Sequence, residues 1–203
     1  GFGVTASLSN DHPFSFARRF GTLDHLTNGR LGWNIVTGYL ESGARGLGHD
    51  SLRDHDERYD VAEDFMAAIY QLWEGSWEAG AAVRDKHSGV FTHPERVHAV
   101  AHDGPYYRVH GRALTEPSPQ RTPLLYQAGS SARGQQFAGR HAEACFINGP
   151  TPAAAAKSVK ALRASAQHAG RDPYDLLALL GATVIVAPTA AEAQDLRDEY
   201  RRY

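Results

Sequence analysis

One ten-residue segment sets the pattern for the chain, and it reads Leu125-Tyr126-Gln127-Ala128-Gly129-Ser130-Ser131-Ala132-Arg133-Gly134. A short apolar strand runs into a turn of small residues, and a helix begins at once. Free backbone N–H groups at the helix start, the hydroxyls of Ser130 and Ser131, and the Arg133 guanidinium would converge on one place, which suits a phosphate. A plain serine cap on a glycine-tolerant turn explains the same residues, so both interpretations stay open at this point.

The same strand-then-helix order recurs on both sides of this segment. The pattern predicts strands at residues 1–9, 30–37, 124–129, 142–148 and 176–187, and helices at residues 13–26, 51–74, 131–141, 152–169 and 189–203. A glycine-rich stretch at 43–48 separates the second strand from the long helix. This alternation predicts an α/β protein with a parallel sheet or barrel.

Five strands are too few to close an eight-stranded barrel, which takes about 250 residues. The pattern therefore fits either an open doubly wound sheet or part of a barrel. Gly1 lies inside a strand pattern and there is no initiator Met. We interpret that start as the inside of a larger fold, which favours the part-barrel.

Residues 81–117 interrupt the alternation. Two β-like pieces, residues 97–102 and 106–111, flank Asp103-Gly104, a pair typical of tight turns. We expect a hairpin insertion within a single domain spanning residues 1–203. Such an insertion is more typical of a lid or packing element than of a separate domain.

Composition excludes several classes of protein. The net charge is −2 with charges of both signs interspersed, which is not the basic surface of a nucleic-acid binder. No apolar run approaches the roughly 20 residues of a membrane-spanning helix, and no basic segment indicates a signal peptide. Cys145 is the single cysteine and sits in an apolar run. We expect it to be a core residue in a reducing cytoplasm rather than a nucleophile.

Two further groups of polar residues are candidates for a site. His55 and Tyr59 are four residues apart, so both lie on one helix face. That face could bind a phosphate or an aromatic ring. Alternatively, the two residues simply belong to the start of an amphipathic helix. Asn34 is an amide in an apolar strand and needs a partner if buried. Thr5 is either a simple strand former or an inward hydroxyl.

The 11 histidines show no metal-ligand spacing, so no metal site is expected.

Several segments together carry a family resemblance. They read Asn10-Asp11-His12-Pro13-Phe14, Ala17-Arg18-Arg19, Thr22-Leu23-Asp24-His25-Leu26-Thr27, Gly29-Arg30-Leu31-Gly32-Trp33-Asn34-Ile35-Val36-Thr37, His55-Asp56-Glu57-Arg58-Tyr59, Leu72-Trp73-Glu74-Gly75-Ser76-Trp77, Glu116-Pro117-Ser118-Pro119-Gln120-Arg121-Thr122-Pro123 and Gln127-Ala128-Gly129. The chain resembles the nitrilotriacetate monooxygenase component A branch of the bacterial-luciferase-like flavin monooxygenases. Within that branch, residues 116–123 look most like dibenzothiophene-sulfone and long-chain-alkane monooxygenases.

The resemblance implies a luciferase-like (β/α)8 TIM barrel, of which this chain supplies strands three to seven, with the hairpin insertion before the fifth. It also implies FMN contacts at Thr5, Asn34, Thr37, His55, Tyr59, Ser130 and Ser131. Among these, His55, Tyr59 and the two serines surround the phosphate, while Asn34 and Thr37 lie under the isoalloxazine ring. Asn34 and Tyr39 are the catalytic-pocket candidates. Gly38 stands where many relatives carry serine, so one hydroxyl contact is missing.

The implied activity is that of a two-component monooxygenase. A separate NAD(P)H:flavin reductase supplies FMNH2, O2 forms a C4a-peroxyflavin, and a small hydrophobic or sulfur-containing substrate is oxygenated. An aryl sulfone is favoured; a long alkane, an aminopolycarboxylate or a flavin-type ring are the alternatives. Homo-oligomers are common among relatives, and we expect one here.

Two other classes of protein fit part of the pattern. One is a non-catalytic FMN-binding barrel. The other is a phosphate-binding aldolase or isomerase, but none of Lys86, Lys157 and Lys160 falls on a predicted barrel strand.

Overall fold

The computed structural model describes all 203 residues. Its main sheet has five parallel strands, which lie side by side in the order in which they occur along the chain once the insertion is set aside. Helices separate the successive strands, as in the wall of a (β/α) barrel. The strands are β1 (Phe2–Ser7), β2 (Leu31–Val36), β3 (Ala82–Asp85), β4 (Val90–Thr92), β5 (Val100–Asp103), β6 (Arg108–Gly111), β7 (Leu124–Gln127), β8 (Ala144–Ile147) and β9 (Leu177–Leu180).

Six α-helices accompany the strands. They are α1 (Pro13–Thr27), α2 (Glu41–Gly46), α3 (His55–Tyr70), α4 (Ala132–His141), α5 (Pro152–His168) and α6 (Ala190–Tyr200). Short 3₁₀ turns occupy Leu8–Asn10 and Pro94–Arg96, and a π-helical turn, Gln71–Gly75, continues α3. None of these helices has the length and apolar character required to cross a lipid bilayer.

Strand β2 shows how the core forms. Its side chains alternate between the two faces of the sheet, so Leu31, Trp33 and Ile35 share one face and are almost completely buried. Trp33 packs against Phe16 of α1, with ring centroids 4.4 Å apart, and against Phe65 of α3 at 6.1 Å. The helices therefore cover this face, and Asn34 points to the opposite one.

On that opposite face, the parallel register aligns polar and aromatic residues across the sheet. Thr5 pairs with Asn34, and Asn34 pairs with Tyr126. The Tyr126 ring lies directly over Gly32, where a Cβ atom would come within 3.2 Å of Tyr126 Cδ2. Glycine at this position therefore lets the ring lie flat along the sheet.

Two predicted elements have other bounds in the structure, and one short helix was not predicted. The last strand ends at Leu180 rather than residue 187, because its partner β8 ends at Ile147 and offers no further backbone to pair with. The glycine-rich stretch at 43–48 overlaps a short helix, α2. The long helix begins at His55, not residue 51, and changes to π-helical geometry after Tyr70.

The insertion contains two hairpins where the sequence predicted one. The predicted hairpin is β5–β6, which pairs in antiparallel register around residues 103–108. The additional one is β3–β4, paired through Ala82 with Thr92 and Asp85 with Val90. Its strands have only four and three residues, too short for a clear alternating pattern in the sequence.

Candidate functional site

The site lies along the edge of the sheet at which the parallel strands end. Because all five strands run in the same direction, the segments that follow β1, β2 and β7 emerge at this edge. The helices that return the chain to the opposite edge of the sheet begin there, so the amino termini of α3 and α4 face the same region. In barrels of this class the residues at this edge carry the function.

The turn between β7 and α4 is built around one buried phenol. Tyr59 of α3 is only 5% exposed, and its hydroxyl lies between Gly129 and Gly134. A Cβ atom at Gly129 would lie 2.8 Å from Tyr59 Oη, and one at Gly134 would lie 2.7 Å from it. Both distances are shorter than van der Waals contact, so glycine at these positions makes room for the phenol. We call Tyr59, Gly129, Ser130, Ser131 and Gly134 the α4 corner.

Gln127 holds the α4 corner from the strand side. Its Oε1 accepts a hydrogen bond of 2.7 Å from Gly129 N, and its Nε2 makes a long contact of 3.5 Å with Tyr59 Oη. Gln127 is buried, and the sequence analysis did not single it out. The signal was the same as for Asn34: an amide in an apolar strand needs a partner.

The α4 corner presents several hydrogen-bond donors at one point. The backbone N–H groups of residues 130–133 have no acceptor within the protein, as expected at a helix start. Ser131 Oγ accepts from Gly134 N at 3.0 Å, which leaves its own hydrogen free to be donated. Ser130 is exposed beside it. Several N–H and O–H donors at a helix amino terminus fit the oxygens of a phosphate, such as that of FMN.

Arg133 does not join this group of donors, contrary to the prediction. Its Nη2 atom lies 2.6 Å from Asp60 Oδ1, and its Nη1 atom lies 3.8 Å from Glu63 Oε1. Both carboxylates belong to α3, which packs against α4. The sequence could not show this pairing, because it joins residues more than 70 positions apart.

His55 lies next to the α4 corner. Its ring is tilted against that of Tyr59 with centroids 5.3 Å apart, as their spacing on one helix face predicted. Nδ1 contacts Asp56 Oδ1 at 2.6 Å, so Nε2 is the ring nitrogen without a partner in the protein. Half of the side chain is exposed, which leaves His55 available to a bound anion.

The ends of β1 and β2 hold the remaining candidates. Asn34 Nδ2 donates to Thr5 Oγ1 at 3.0 Å, whereas Asn34 Oδ1 is buried with no hydrogen-bond partner. A buried amide oxygen without a donor is costly unless a ligand supplies one, and a flavin ring N–H is such a donor. Thr37 accepts a hydrogen bond of 2.8 Å from Ser9 Oγ through its carbonyl oxygen. Its side chain is half-buried.

A cavity of ≈ 990 Å³ opens beside these strand ends. Thr5 and Tyr39 line it, and Tyr39 stands at its rim with 80% of its surface exposed. Arg58 of α3 and Tyr107 of the insertion also contribute to the wall, although the sequence analysis selected neither. The predicted residues thus fall into three places: at or beside the α4 corner (His55, Tyr59, Ser130, Ser131), on the cavity wall (Thr5, Tyr39), and at the end of β2 outside that wall (Asn34, Thr37).

Cys145 lies on the helix-facing side of β8 and is 1% exposed. Burial raises the pKa of its thiol to about 11, so it carries no nucleophilic thiolate near neutral pH. This agrees with the prediction of a core cysteine.

Known proteins match the whole chain. The family model described as luciferase-like monooxygenase matches residues 1–203. A long-chain alkane monooxygenase from Geobacillus thermodenitrificans is 44% identical over 202 residues, which are 100% of this chain and 46% of that protein. A dimethyl-sulfide monooxygenase from Hyphomicrobium sulfonivorans is 45% identical over 203 residues, which are 100% of this chain and 42% of that protein.

A solved structure agrees with these matches. The crystal structure of a riboflavin lyase with modified FMN and its substrate riboflavin superposes with a TM-score of 0.93 at 44% identity, over 98% of this chain and 44% of that one. The chain therefore spans less than half the length of these relatives. The match over every residue and the parallel (β/α) sheet lead to one assignment: this chain belongs to the luciferase-like monooxygenase family.

Proposed function

We propose that this chain binds FMN, with the phosphate at the α4 corner and the ring beside the ends of β1 and β2. The observation that carries this proposal is the set of N–H and O–H donors at residues 130–133, held in place by the glycine contacts around Tyr59. His55 would add a further contact to the phosphate, donated from Nε2 in the imidazolium form, because Nδ1 already directs its hydrogen at Asp56. Asn34, with its buried and unpartnered Oδ1, would receive a ring N–H, while Thr5 holds its amide in orientation.

We further propose that the whole protein is the oxygenase of a two-component system. A separate NAD(P)H:flavin reductase would supply FMNH2, which, once bound, would provide the electrons with which O2 is activated for transfer of one oxygen atom to the substrate. The chain's own residues bind and orient that cofactor. The walls of the cavity, including Tyr39 and the insertion, would hold the substrate and limit access of water.

The proposed substrate is a small hydrophobic or sulfur-containing organic molecule, with aryl sulfones as the first class to test. Relatives of nearly equal identity are named for a long-chain alkane, for dimethyl sulfide and for riboflavin. Identity alone therefore does not select the substrate. The cavity wall, which combines the aromatic Tyr39 and Tyr107 with polar residues such as Thr5, suits a largely apolar molecule that carries a few polar atoms.

The test uses the intact protein with FMN, a flavin reductase, NADH and ¹⁸O-labelled O2, with catalase present to remove free peroxide. Aryl sulfones, sulfides and alkanes are offered in turn, and products are analysed by mass spectrometry. One ¹⁸O atom in the product of a protein-dependent reaction supports the proposal. If FMN binds but every substrate is returned unlabelled, the protein is a flavin binder without this activity.

A further inference from the structure

The second hairpin of the insertion is fixed to α3 by one buried carboxylate. Asp64 Oδ2 accepts hydrogen bonds from the backbone N–H groups of Tyr106, at 2.9 Å, and Tyr107, at 2.7 Å. Its Oδ1 lies 2.7 Å from Nε2 of His102 on β5. The side chains of Asp64 and His102 are 5% and 11% exposed, so water competes little for these bonds. Three bonds to one carboxylate hold the hairpin turn in a single place.

Neighbouring residues fix the arrangement of the Asp64 carboxylate, the His102 ring and the hairpin turn. Gln71 Nε2 donates to His102 Nδ1 at 3.3 Å, which places the imidazole hydrogen on Nε2, facing Asp64. Gly104 N donates to Tyr107 O at 2.9 Å and closes the turn. A Cβ atom at Gly104 would overlap the Asp64 carboxylate, so only glycine allows the turn to come this close.

The consequence of this anchoring is the placement of Tyr107. Its ring meets the edge of His12 at 5.7 Å and of Phe65 at 5.5 Å, and it forms part of the wall of the ≈ 990 Å³ cavity. Its hydroxyl makes no hydrogen bond within the protein, although the residue is only partly exposed. Burial raises its pKa, so the phenol keeps its proton and can act as a donor at neutral pH.

The neighbouring Tyr106 differs in its exposure and in its contacts. It is more exposed, does not line the cavity, and its ring lies under the guanidinium of Arg53 at 5.6 Å. Two adjacent tyrosines are thus anchored by the same carboxylate, but only one of them reaches the cavity. Tyr106 is therefore a matched control for substitutions of Tyr107.

We propose that Tyr107 is a substrate-contacting, specificity-determining residue whose hydroxyl donates a hydrogen bond to an oxygen of the substrate, such as a sulfone oxygen. Asp64 and His102 are the positioning residues that hold it there. This inference rests on the proposed function, because it assigns the cavity to the substrate. A site that offers a donor discriminates against an analogue that lacks the acceptor.

The experiment compares two probes with the same ring system, dibenzothiophene sulfone and dibenzothiophene, which differ only in two acceptor oxygens. Their affinities for the intact protein are measured by equilibrium binding, with and without reduced FMN. We expect the protein to prefer the sulfone, and Tyr107→Phe to weaken sulfone binding about fivefold while dibenzothiophene binding is unchanged. Tyr106→Phe should change neither affinity.

Asp64→Asn tests the positioning role. It should also reduce the sulfone preference, and in the Tyr107→Phe background it should reduce it no further, because both changes act through the same hydroxyl. A merely structural role of Asp64 would lower the affinity for both probes and would add to the effect of Tyr107→Phe.

Three results would overturn the inference: no preference for the sulfone in the unmodified protein, including binding of neither probe; an unchanged preference in Tyr107→Phe; or an equal loss in Tyr106→Phe. The affinity for FMN is measured in every variant and should stay the same. Loss of FMN binding in the unmodified protein would instead contradict the proposed function.

Discussion

The α4 corner and the segment between β2 and α3 lie at the same edge of the sheet but are built in opposite ways. At the α4 corner, Gly129 and Gly134 are packed so closely around Tyr59 that neither has room for a methyl group. In the other segment, Gly46 and Gly48 have no neighbour within 4 Å of an added Cβ atom. Tyr39 and other apolar residues there stand largely in solvent.

This difference indicates that the chain has a preformed binding site for only one end of the proposed ligand, the phosphate end. In the proposed complex the phosphate end would meet donors whose positions are already fixed by packing, which lowers the entropy cost of binding. The ring and substrate end meets one buried amide oxygen, that of Asn34, and an open cavity. We therefore expect substitutions at the α4 corner to have larger effects than substitutions in the segment between β2 and α3.

The largest effect is expected from Gly129→Ala. The new methyl group would collide with Tyr59 Oη and Gln127, and relief would require the turn or the phenol to move. Overpacking of this kind costs about 1–3 kcal/mol of unfolding free energy, and the displaced donors should also weaken FMN binding. Denaturant unfolding and FMN titration measure the two effects.

Gly43→Ala in α2 is the matched control for that change. Its Cβ atom would meet only Leu40 Cβ at 3.7 Å, an ordinary contact, and alanine favours the helix over glycine. Stability and FMN affinity should be unchanged or slightly increased. Equal losses in the two variants would contradict the contrast between the two segments.

An intermediate effect is expected from pH, through Glu63. Burial raises the pKa of Glu63, but the hydrogen bond with His141 and the positive charges of His141 and Arg140 outweigh it, so the pKa lies below its ordinary value of 4.5. A carboxyl group with a lowered pKa in the folded state stabilises the protein above its unfolded pKa. That stabilisation is lost as the pH falls below about 4.5 and through the folded value.

The measurement is the free energy of unfolding between pH 3 and pH 7 for the protein and for Glu63→Gln. The variant should be less stable near pH 6, and its stability should fall less steeply below pH 4.5. Glu63 joins α3 to α4 through His141 and Arg140, so FMN affinity should decline over the same range. Parallel pH profiles for the two proteins would rule out this role of Glu63.

The smallest effect is expected from Tyr39→Ala. With 80% of its surface exposed, Tyr39 contributes little packing, and its removal should change the unfolding free energy by less than about 0.5 kcal/mol. FMN affinity should be unchanged, while KM for a substrate should rise if the residue contacts it. A marked loss of FMN affinity would show that the segment after β2 helps to bind the cofactor.

Local patterns predicted most of the fold. Helix α1 begins at Pro13, α4 follows Ser131 and α5 begins at Pro152, all within one residue of where the sequence placed them. Each depends on residues within one helical turn, and so does the contact of His55 with Tyr59. The prediction that the last strand continues beyond residue 180 was wrong, because pairing depends on a neighbouring strand, which the segment's own residues do not reveal.

Contacts between distant residues explain what the sequence could not show at the site. Arg133 has the residue type and position to bind a phosphate, but two carboxylates of α3 attract it away. The bonds from Asp64 to Tyr106 and Tyr107 span more than 40 residues. Gln127 could have been found, since a buried strand amide must have partners, but their identity required the fold.

Residues 130 and 131 are proposed to bind the phosphate of FMN, and riboflavin, which lacks only that phosphate, is the ligand with which to compare FMN. Both are titrated, reduced and under anaerobic conditions, into the intact protein and into Ser130→Ala/Ser131→Ala. The unmodified protein should prefer FMN, and the double variant should lose about 1–3 kcal/mol of FMN binding while riboflavin binding is unchanged. An undiminished preference for FMN in the double variant would contradict the placement of the phosphate.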